Sequence, residues 1–251
     1  VKNGNDLEFP YEAYLTSDFT LGNTSAFNKP EVYYSRIPTS DYDITTMPQW
    51  SDPDTWSPDS HTGASGNGNN AYPQDGDIAI IGYGGTAPGD GGGNRHHVAY
   101  RNGDNYDLAR VVINSSEDPD VYDSRLFIEE GATIDMSTLE GDGTLELLLD
   151  NNNPSTIHGD FGDFTTNEAE GARVLYHGVN GDPIQTPDIF NQLPNVRIEG
   201  YAARTFTFPR EYTIRGNLVV DHQATLRLEH NLTVNDNFQL GLYQYGKLEF
   251  P

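Results

Sequence analysis

The C-terminal stretch RGNLVVDHQATLRL (215–228), which runs on into EHNLTVNDNFQLGLYQYGKLEF (229–250), decides the fold class. Asn217-Leu218-Val219-Val220 aligns with Asn231-Leu232-Thr233-Val234 at an offset of 14 residues, and another short strand follows each copy. Short strands at close spacing without helices predict an all-β, right-handed parallel β-helix, a solenoid of stacked coils. Because side chains alternate along a strand, the inward positions are predicted to be Leu218, Val220, Leu226, Leu228, Leu232 and Val234.

The same pattern of short apolar runs separated by Gly, Asn and Asp loops extends back to residue 77. The strand-like runs are 77–81, 97–100, 109–114, 125–128, 132–136, 143–149, 173–176 and 196–198. A β-sandwich is the alternative, since the dipeptides Asn102-Gly103 and Asn180-Gly181 are typical of tight hairpin turns. One segment, DIFNQL (188–193), has the spacing of a single helical turn.

Composition excludes several classes of partner. The chain has 251 residues and a formal charge of −24, so nucleic acid and anionic membrane surfaces are electrostatically opposed partners. No apolar run approaches the roughly 20 residues that direct insertion into a bilayer requires. Cysteine is absent, so disulfides are excluded.

Both tryptophans of the chain lie close together in a polar stretch, EVYYSRIPTSDYDITTMPQWSDPDTWS (31–57). A solenoid exposes its core at the first coil and needs a cover there, so Trp50 and Trp56 are predicted to form a structural cap. Sugar stacking by exposed rings is the alternative. We therefore expect an irregular N-terminal lead-in and cap over 1–57 and a β-solenoid over 58–251 that continues beyond Pro251.

Four motifs in this order carry a family resemblance: YYSR (33–36), QWSDPDTWS (49–57), GDIAI (76–80) and His97-Val98. Together they resemble a module of large exported surface proteins of Bacteroidota, which are cargo of the type IX secretion system and include gliding-motility adhesins. The resemblance covers about residues 31–136 by motif and 196–250 by the style of the repeats. The sequence departs from the module in the long insertion SDYDITTMP (40–48).

The resemblance implies a non-catalytic structural or adhesion module at the outer face of the outer membrane, with a possible role in gliding motility. The implied partners are the secretion and outer-membrane attachment machinery and a polysaccharide or other surface ligand. A carbohydrate-active β-helix, either a polysaccharide lyase or a glycoside hydrolase, is the alternative function. An enzyme needs a charged groove along one face of the coils, whereas a stalk needs only a filled interior and a soluble exterior.

Clustered aspartates in loops are the candidate ligands for Ca²⁺, which prefers carboxylate oxygens. The predicted calcium ligands are Asp75, Asp77, Asp90, Asp104, Asp107, Asp118, Asp120 and Asp123. The alternative is that these side chains accept hydrogen bonds from their own turns. No catalytic constellation is predicted, and adjacent His96 and His97 are assigned to packing or hydrogen bonding because neighbouring strand residues point to opposite faces.

Overall fold

The secondary structure of the protein is β-strand almost throughout. The computed structural model describes residues 30–36, 45–65, 71–82, 96–115, 124–162, 164, 172–200, 202–242 and 244–251. These residues contain no α-helix, only a short 3-10 turn at Pro53–Thr55. The strands are β1 Val32–Ser35, β2 Trp56–Ser57, β3 Ile78–Ile81, β4 His97–Tyr100, β5 Asn105–Leu108, β6 Arg110–Ile113, β7 Arg125–Ile128, β8 Thr133–Gly141, β9 Thr144–Asp150, β10 Thr156–Asp160, β11 Arg173–Asn180, β12 Ile184–Gln185, β13 Asn195–Glu199, β14 Thr205–Thr207, β15 Tyr212–Ile214, β16 Leu218–Asp221, β17 Thr225–Arg227, β18 Leu232–Val234, β19 Phe238–Leu240 and β20 Lys247–Glu249.

The strands form four sheets, and their pairing is parallel. The long sheet has the order β4-β7-β9-β11-β13-β16-β19, and the N-terminal sheet has the order β10-β8-β6-β3-β1-β2 with β5 also paired to β8. The C-terminal sheet has the order β12-β14-β17-β20, and β15 pairs with β18 in a two-stranded sheet. Only β1 and β2 pair antiparallel among the described strands. The β-sandwich alternative is therefore wrong, because sandwiches are built from antiparallel sheets.

The chain visits its sheets in a fixed rotation. From β13 onward it passes through the long sheet, the C-terminal sheet and the two-stranded sheet, and then repeats this order. Val196 pairs with Leu218, which pairs with Phe238, so equivalent positions of neighbouring strands lie 22 and then 20 residues apart. The 14-residue alignment is not the spatial repeat, because β16 and β18 belong to different sheets.

An asparagine ladder marks the start of three successive strands of the long sheet. The Asn195 Oδ1 accepts from both the backbone N and the Nδ2 of Asn217, at 3.0 and 3.2 Å. The Asn217 Oδ1 accepts the same pair of bonds from Asn237, at 3.2 and 3.0 Å. Each amide thus fixes the backbone of the next strand, which holds the register of the stack.

The apolar core lies between the sheets. Alternate residues of the long sheet form two buried rows, and the first of these contains Val98, Leu126, Leu145, Val174, Val196 and Leu218. Of the six positions predicted to point inward, Leu218, Val220 and Leu226 are buried. Leu228, Leu232 and Val234 are partly buried and pack against the same core.

Gly131, in the turn between β7 and β8, has φ +78°, a conformation that favours glycine.

The N-terminal end of the sheets is closed by the Trp-containing stretch. Strand β2 covers the edge of β1, and the residues around Gln49 extend the long sheet by pairing with Ala99 of β4. The lead-in predicted over residues 1–57 therefore contains segments that belong to the sheets, while residues 1–29 lie outside the described part. The segment 188–193 is not helical, because Leu193 instead bridges to Ile214.

The C-terminal end of the sheets exposes apolar side chains. The large hydrophobic residues that face solvent there are Phe238, Leu240, Leu242, Tyr245 and Phe250. Within the described residues, no helix is long and apolar enough to cross a membrane.

Candidate functional site

The outer face of the long sheet carries several charged side chains. The side chains that do not enter the core alternate with the two buried rows, so they line up across the strands. One outer row aligns Phe127, Glu146, Leu175, Arg197 and Val219. The next outer row aligns Leu148, His177, Glu199 and Asp221.

A first charge network joins strands β7, β9 and β11. The Arg125 Nη1 lies 3.0 Å from the Glu146 Oε2, and the Nδ1 of His177 lies 3.4 Å from the Glu146 Oε1. Glu146 is the single charged residue in the apolar run LELLL (145–149) of β9. Burial of a carboxylate is costly unless it is paired, and here one carboxylate is contacted from both sides.

A second charge network joins strands β13 and β16. The Arg197 Nε lies 2.6 Å from the Glu199 Oε1, and its Nη2 lies 3.3 Å from the Asp221 Oδ2. The His222 Nε2 lies 3.6 Å from the Glu199 Oε1. Asp221 also accepts hydrogen bonds through its Oδ1 from the backbone N of His222 and of Gln244, both at 2.8 Å. This buried carboxylate therefore connects the outer face to the turn that leads into the next strand.

The two networks line one cleft of about 670 Å³, a volume within the ~300–1,000 Å³ typical of ligand sites. The residues that line it are Arg125, Phe127, Glu129, Glu130, Glu146, Leu148, Arg173, Leu175, His177, Val179, Arg197, Glu199 and His222. Phe127 is buried under Met47 and Ala99 in a small apolar cluster, so its ring is not available for stacking. The cleft therefore offers guanidinium, imidazole and carboxylate groups, with Leu148 and Val179 as apolar surface.

The predicted tryptophan cap is buried in the core at the closed end. The two rings meet edge to face, with 5.0 Å between their centroids, and Trp50 meets Tyr100 at 5.2 Å. The Trp56 Nε1 donates to the Trp50 carbonyl at 2.7 Å, and the Trp50 Nε1 donates to the Pro73 carbonyl at 3.0 Å. Rings without exposed surface cannot stack on a sugar, so burial argues for the structural role.

Of the four predicted calcium ligands that the structure describes, Asp75, Asp77 and Asp104 accept backbone hydrogen bonds through their carboxylates. Asp75 accepts from the Asp107 backbone N at 2.9 Å, and Asp77 accepts from the backbone N of Glu31 and of Gln74. Asp104 accepts from the Arg101 backbone N at 2.8 Å, and burial raises its pKa. The described residues contain no group of three or more His, Asp or Glu side chains arranged to hold a metal. The other four predicted ligands, Asp90, Asp118, Asp120 and Asp123, lie outside the described residues.

The adjacent histidines predicted to pack are both buried at the closed end. The His96 Nδ1 lies 2.7 Å from the Ser35 Oγ, and the same hydroxyl oxygen accepts from the Gly82 backbone N at 3.0 Å. The tautomer of His96 sets which of the two groups donates in the His96–Ser35 bond. Burial, together with the neighbouring His61, lowers the pKa of His96 to about 3.

The cleft was not predicted from the sequence. Its signal is a charged residue inside an apolar strand, as in LELL (145–148) and VRIE (196–199). Comparisons of the chain with protein-family models, with curated proteins and with solved structures found no match. The function is therefore inferred from the cleft of the long sheet and from the motifs of the sequence.

Proposed function

We propose that the protein is a right-handed parallel β-helix whose coils are the successive rotations through three sheets. The parallel registers at 20 to 22 residues and the asparagine ladder support this architecture. Right-handedness follows from the general rule that connections between parallel strands of one sheet are almost always right-handed. The buried rows of the long sheet supply the filled interior that a stack of coils needs.

We further propose that this β-helix is a non-catalytic segment of a large cell-surface protein, and that it binds a polysaccharide in the cleft of the long sheet. The single observation that carries the binding proposal is the charged cleft on an otherwise regular stack. Sugars are bound by placed hydrogen-bonding groups on a rigid surface, and paired strands supply such a surface.

The location and partners that we propose follow from the resemblance of residues 31–136 to exported Bacteroidota surface proteins. The protein is exported by the type IX route, is attached at the outer face of the outer membrane, and contributes to adhesion or gliding. Its partners are the secretion and attachment machinery together with the bound polysaccharide. An acidic surface suits this exposed location, because net charge keeps extended proteins soluble.

Binding without cleavage is the test of this function. The purified protein is incubated with neutral and acidic polysaccharides, and both retention on the polymer and polymer length are measured. We expect retention with no shortening of the polymer. Absence of retention on every polysaccharide contradicts the proposal.

A carbohydrate-active enzyme is the second candidate, because the cleft holds two buried carboxylates. Glu146 and Glu199 lie on strands separated by β11, so their backbones are about 10 Å or more apart. A lyase or hydrolase also requires an acid or a base at the scissile bond. Depolymerisation that disappears in Glu146→Gln or Glu199→Gln, but persists in Glu249→Gln on the C-terminal sheet, would replace the adhesin proposal with an enzyme.

Calcium binding by the loop aspartates stays a prediction, and we propose it for Asp75, Asp77, Asp90, Asp104, Asp107, Asp118, Asp120 and Asp123. Bound Ca²⁺ would relieve the self-repulsion of a chain with a charge of −24. The test is a thermal melt with added Ca²⁺ and with a chelator, using Mg²⁺ as the control cation. Equal melting temperatures in all three conditions contradict structural calcium.

A further inference from the structure

In both charge networks of the cleft, the arginine and histidine side chains lie nearer to solvent than the carboxylates. In the first network the exposed fraction of the side chain is 6% for Glu146, 16% for Arg125 and 28% for His177. In the second it is 0% for Asp221, 8% for Glu199 and 18% for Arg197. The carboxylates form a lower layer, and guanidinium and imidazole groups form the layer that a ligand meets.

This layering is unusual in a chain with 38 acidic and only 14 basic residues. Three of the basic residues, Arg125, Arg173 and Arg197, line this one cleft. A guanidinium carries five N–H donors in a planar fork that matches a carboxylate or a sulfate, and a buried carboxylate beneath it fixes its orientation. The outer layer is therefore rich in donors and suited to a ligand with charged acceptor oxygens.

The arginines also have a spacing set by the strands. Arg125 pairs with Thr144, which pairs with Arg173, so the two arginines lie in one row at about twice the strand separation of roughly 4.8 Å. An extended polysaccharide advances by about one strand separation for each sugar, so every second sugar matches the spacing of the two arginines. A polymer that crosses the strands would bring acid groups on alternate sugars to Arg125 and Arg173.

The acidic residues of the cleft that remain near solvent lie at one edge. Glu129 pairs with Arg101 at 3.0 Å and accepts from the Asn102 backbone N at 2.8 Å. Glu130 follows it in the turn after β7. The row formed by Arg125 and Arg173 runs along the starts of their strands, away from that edge.

We propose that the ligand of the cleft is an acidic polysaccharide, recognised through its carboxylate or sulfate groups by Arg125, Arg173 and Arg197. This inference rests on the proposed polysaccharide-binding function and specifies its ligand. The net charge of −24 repels such a polymer at long range, whereas the arginines attract it at contact. Moderate salt screens the long-range repulsion first, so association becomes faster as monovalent salt rises from low concentration.

The experiment uses two pairs of polymers that differ only in charge. Polygalacturonate is compared with its methyl ester, and dextran sulfate is compared with dextran, by surface binding of the purified protein. We expect the charged member of at least one pair to bind about tenfold or more tightly. The pair that shows the difference identifies the group as a carboxylate or a sulfate.

Arg173→Gln tests the cleft, because it leaves both Arg125–Glu146 and Arg197–Asp221 in place. We expect about a tenfold loss of binding to the acidic polymer. Arg227→Gln is the matched control, since Arg227 pairs with Glu249 on the C-terminal sheet, and it should bind as the wild type does. Arg173→Lys retains the charge without the fork, and its intermediate affinity is measured in case Arg173→Gln unfolds.

These experiments test the acidic ligand separately from the proposed binding of a polysaccharide. Equal binding of charged and neutral polymers overturns the acidic ligand and leaves polysaccharide binding intact. Absence of binding to all four polymers overturns both. Equal losses in Arg173→Gln and Arg227→Gln, or wild-type affinity in Arg173→Gln and Arg173→Lys, overturn the assignment to the cleft.

Discussion

The two ends of the stack differ in how the core meets solvent. At the N-terminal end, Trp50 and Trp56 have no exposed surface, and residues within 49–57 pair with the outer sides of β1 and β4. At the C-terminal end, Phe238 and Leu240 of β19 each expose 43% of their surface. The same inward row of the long sheet is thus fully buried at one end and partly open at the other. At the N-terminal end, the residues that cover the inward rows come from a Trp-containing stretch whose composition differs from that of the strands.

Removing a tryptophan from the closed end has the largest expected effect on this comparison. Trp50→Ala deletes a buried ring together with its bond to Pro73 and should lower the free energy of unfolding by about 3–5 kcal/mol. Chemical denaturation monitored by circular dichroism measures the change. Phe238→Ala, in an inward row at the other end of the long sheet, is the control and should cost well under half as much. Equal losses in the free energy of unfolding would contradict the difference in burial between the two ends.

Acid should destabilise the closed end through His96. Its pKa falls from 6.5 in the unfolded chain to about 3 in the folded protein, so the unfolded state binds the additional proton between these values. Stability therefore falls as the pH drops through this window, by about 3 kcal/mol between pH 6.5 and pH 4. Denaturation at several pH values measures it. His96→Gln should flatten this part of the profile, and His230→Gln, an exposed position at the other end, should not.

The asparagine ladder allows the spatial repeat to be tested against the apparent one. Asn217→Ala removes the side-chain bond to Asn195 and the two bonds that Asn217 accepts from Asn237, and it should cost about 1–2 kcal/mol. Asn231, its partner in the 14-residue sequence alignment, is exposed, and Asn231→Ala should change stability by less than about 0.5 kcal/mol. Thermal denaturation distinguishes them, and similar losses in the two variants would restore the 14-residue repeat.

The smallest effect on stability is expected at the open end itself. Phe238→Ser should cost less than about 1 kcal/mol, because much of the ring already faces solvent. The same change should lower the fluorescence of an apolar dye bound to the native protein, since such dyes report exposed apolar surface. Tyr72→Ser, at the closed end, serves as the comparison and should leave dye binding near the wild-type value unless the cap opens.

The sequence predicted many of the strands and their inward positions, because the strands share the same alternation of apolar and polar residues. The same alternation produces the 14-residue offset, which is not the spatial repeat of the sheets. Asn217 and Asn231 both begin an apolar strand, and alternation is equal on every face, so the pattern does not reveal which sheet a strand joins. Register is decided by pairing between strands 20 or more residues apart, which a local pattern does not contain.

The cleft escaped prediction for a different reason. Arg125, Glu146 and Arg197 stand at outward positions, where charged residues are usual, so each of them alone reads as ordinary surface. Their meaning arises from alignment across strands β7, β9 and β13, which brings residues from distant parts of the chain onto one face. The Trp-containing stretch was recognisable, in contrast, because two tryptophans in a polar stretch are conspicuous within a single local window.

The sequence separation of the pairings sets an order of folding. Contacts at the closed end join residues far apart, 61 positions for Ser35 and His96, whereas the asparagine ladder spans 20 to 22. Closing the longer loop costs about 1 kcal/mol more conformational entropy, so the C-terminal strand pairs should form first and the closed end last. In pulsed hydrogen exchange during refolding, the amide of Leu218 should gain protection before that of Trp50. The tryptophans would then pack at the closed end only after the strand pairs beneath them have formed.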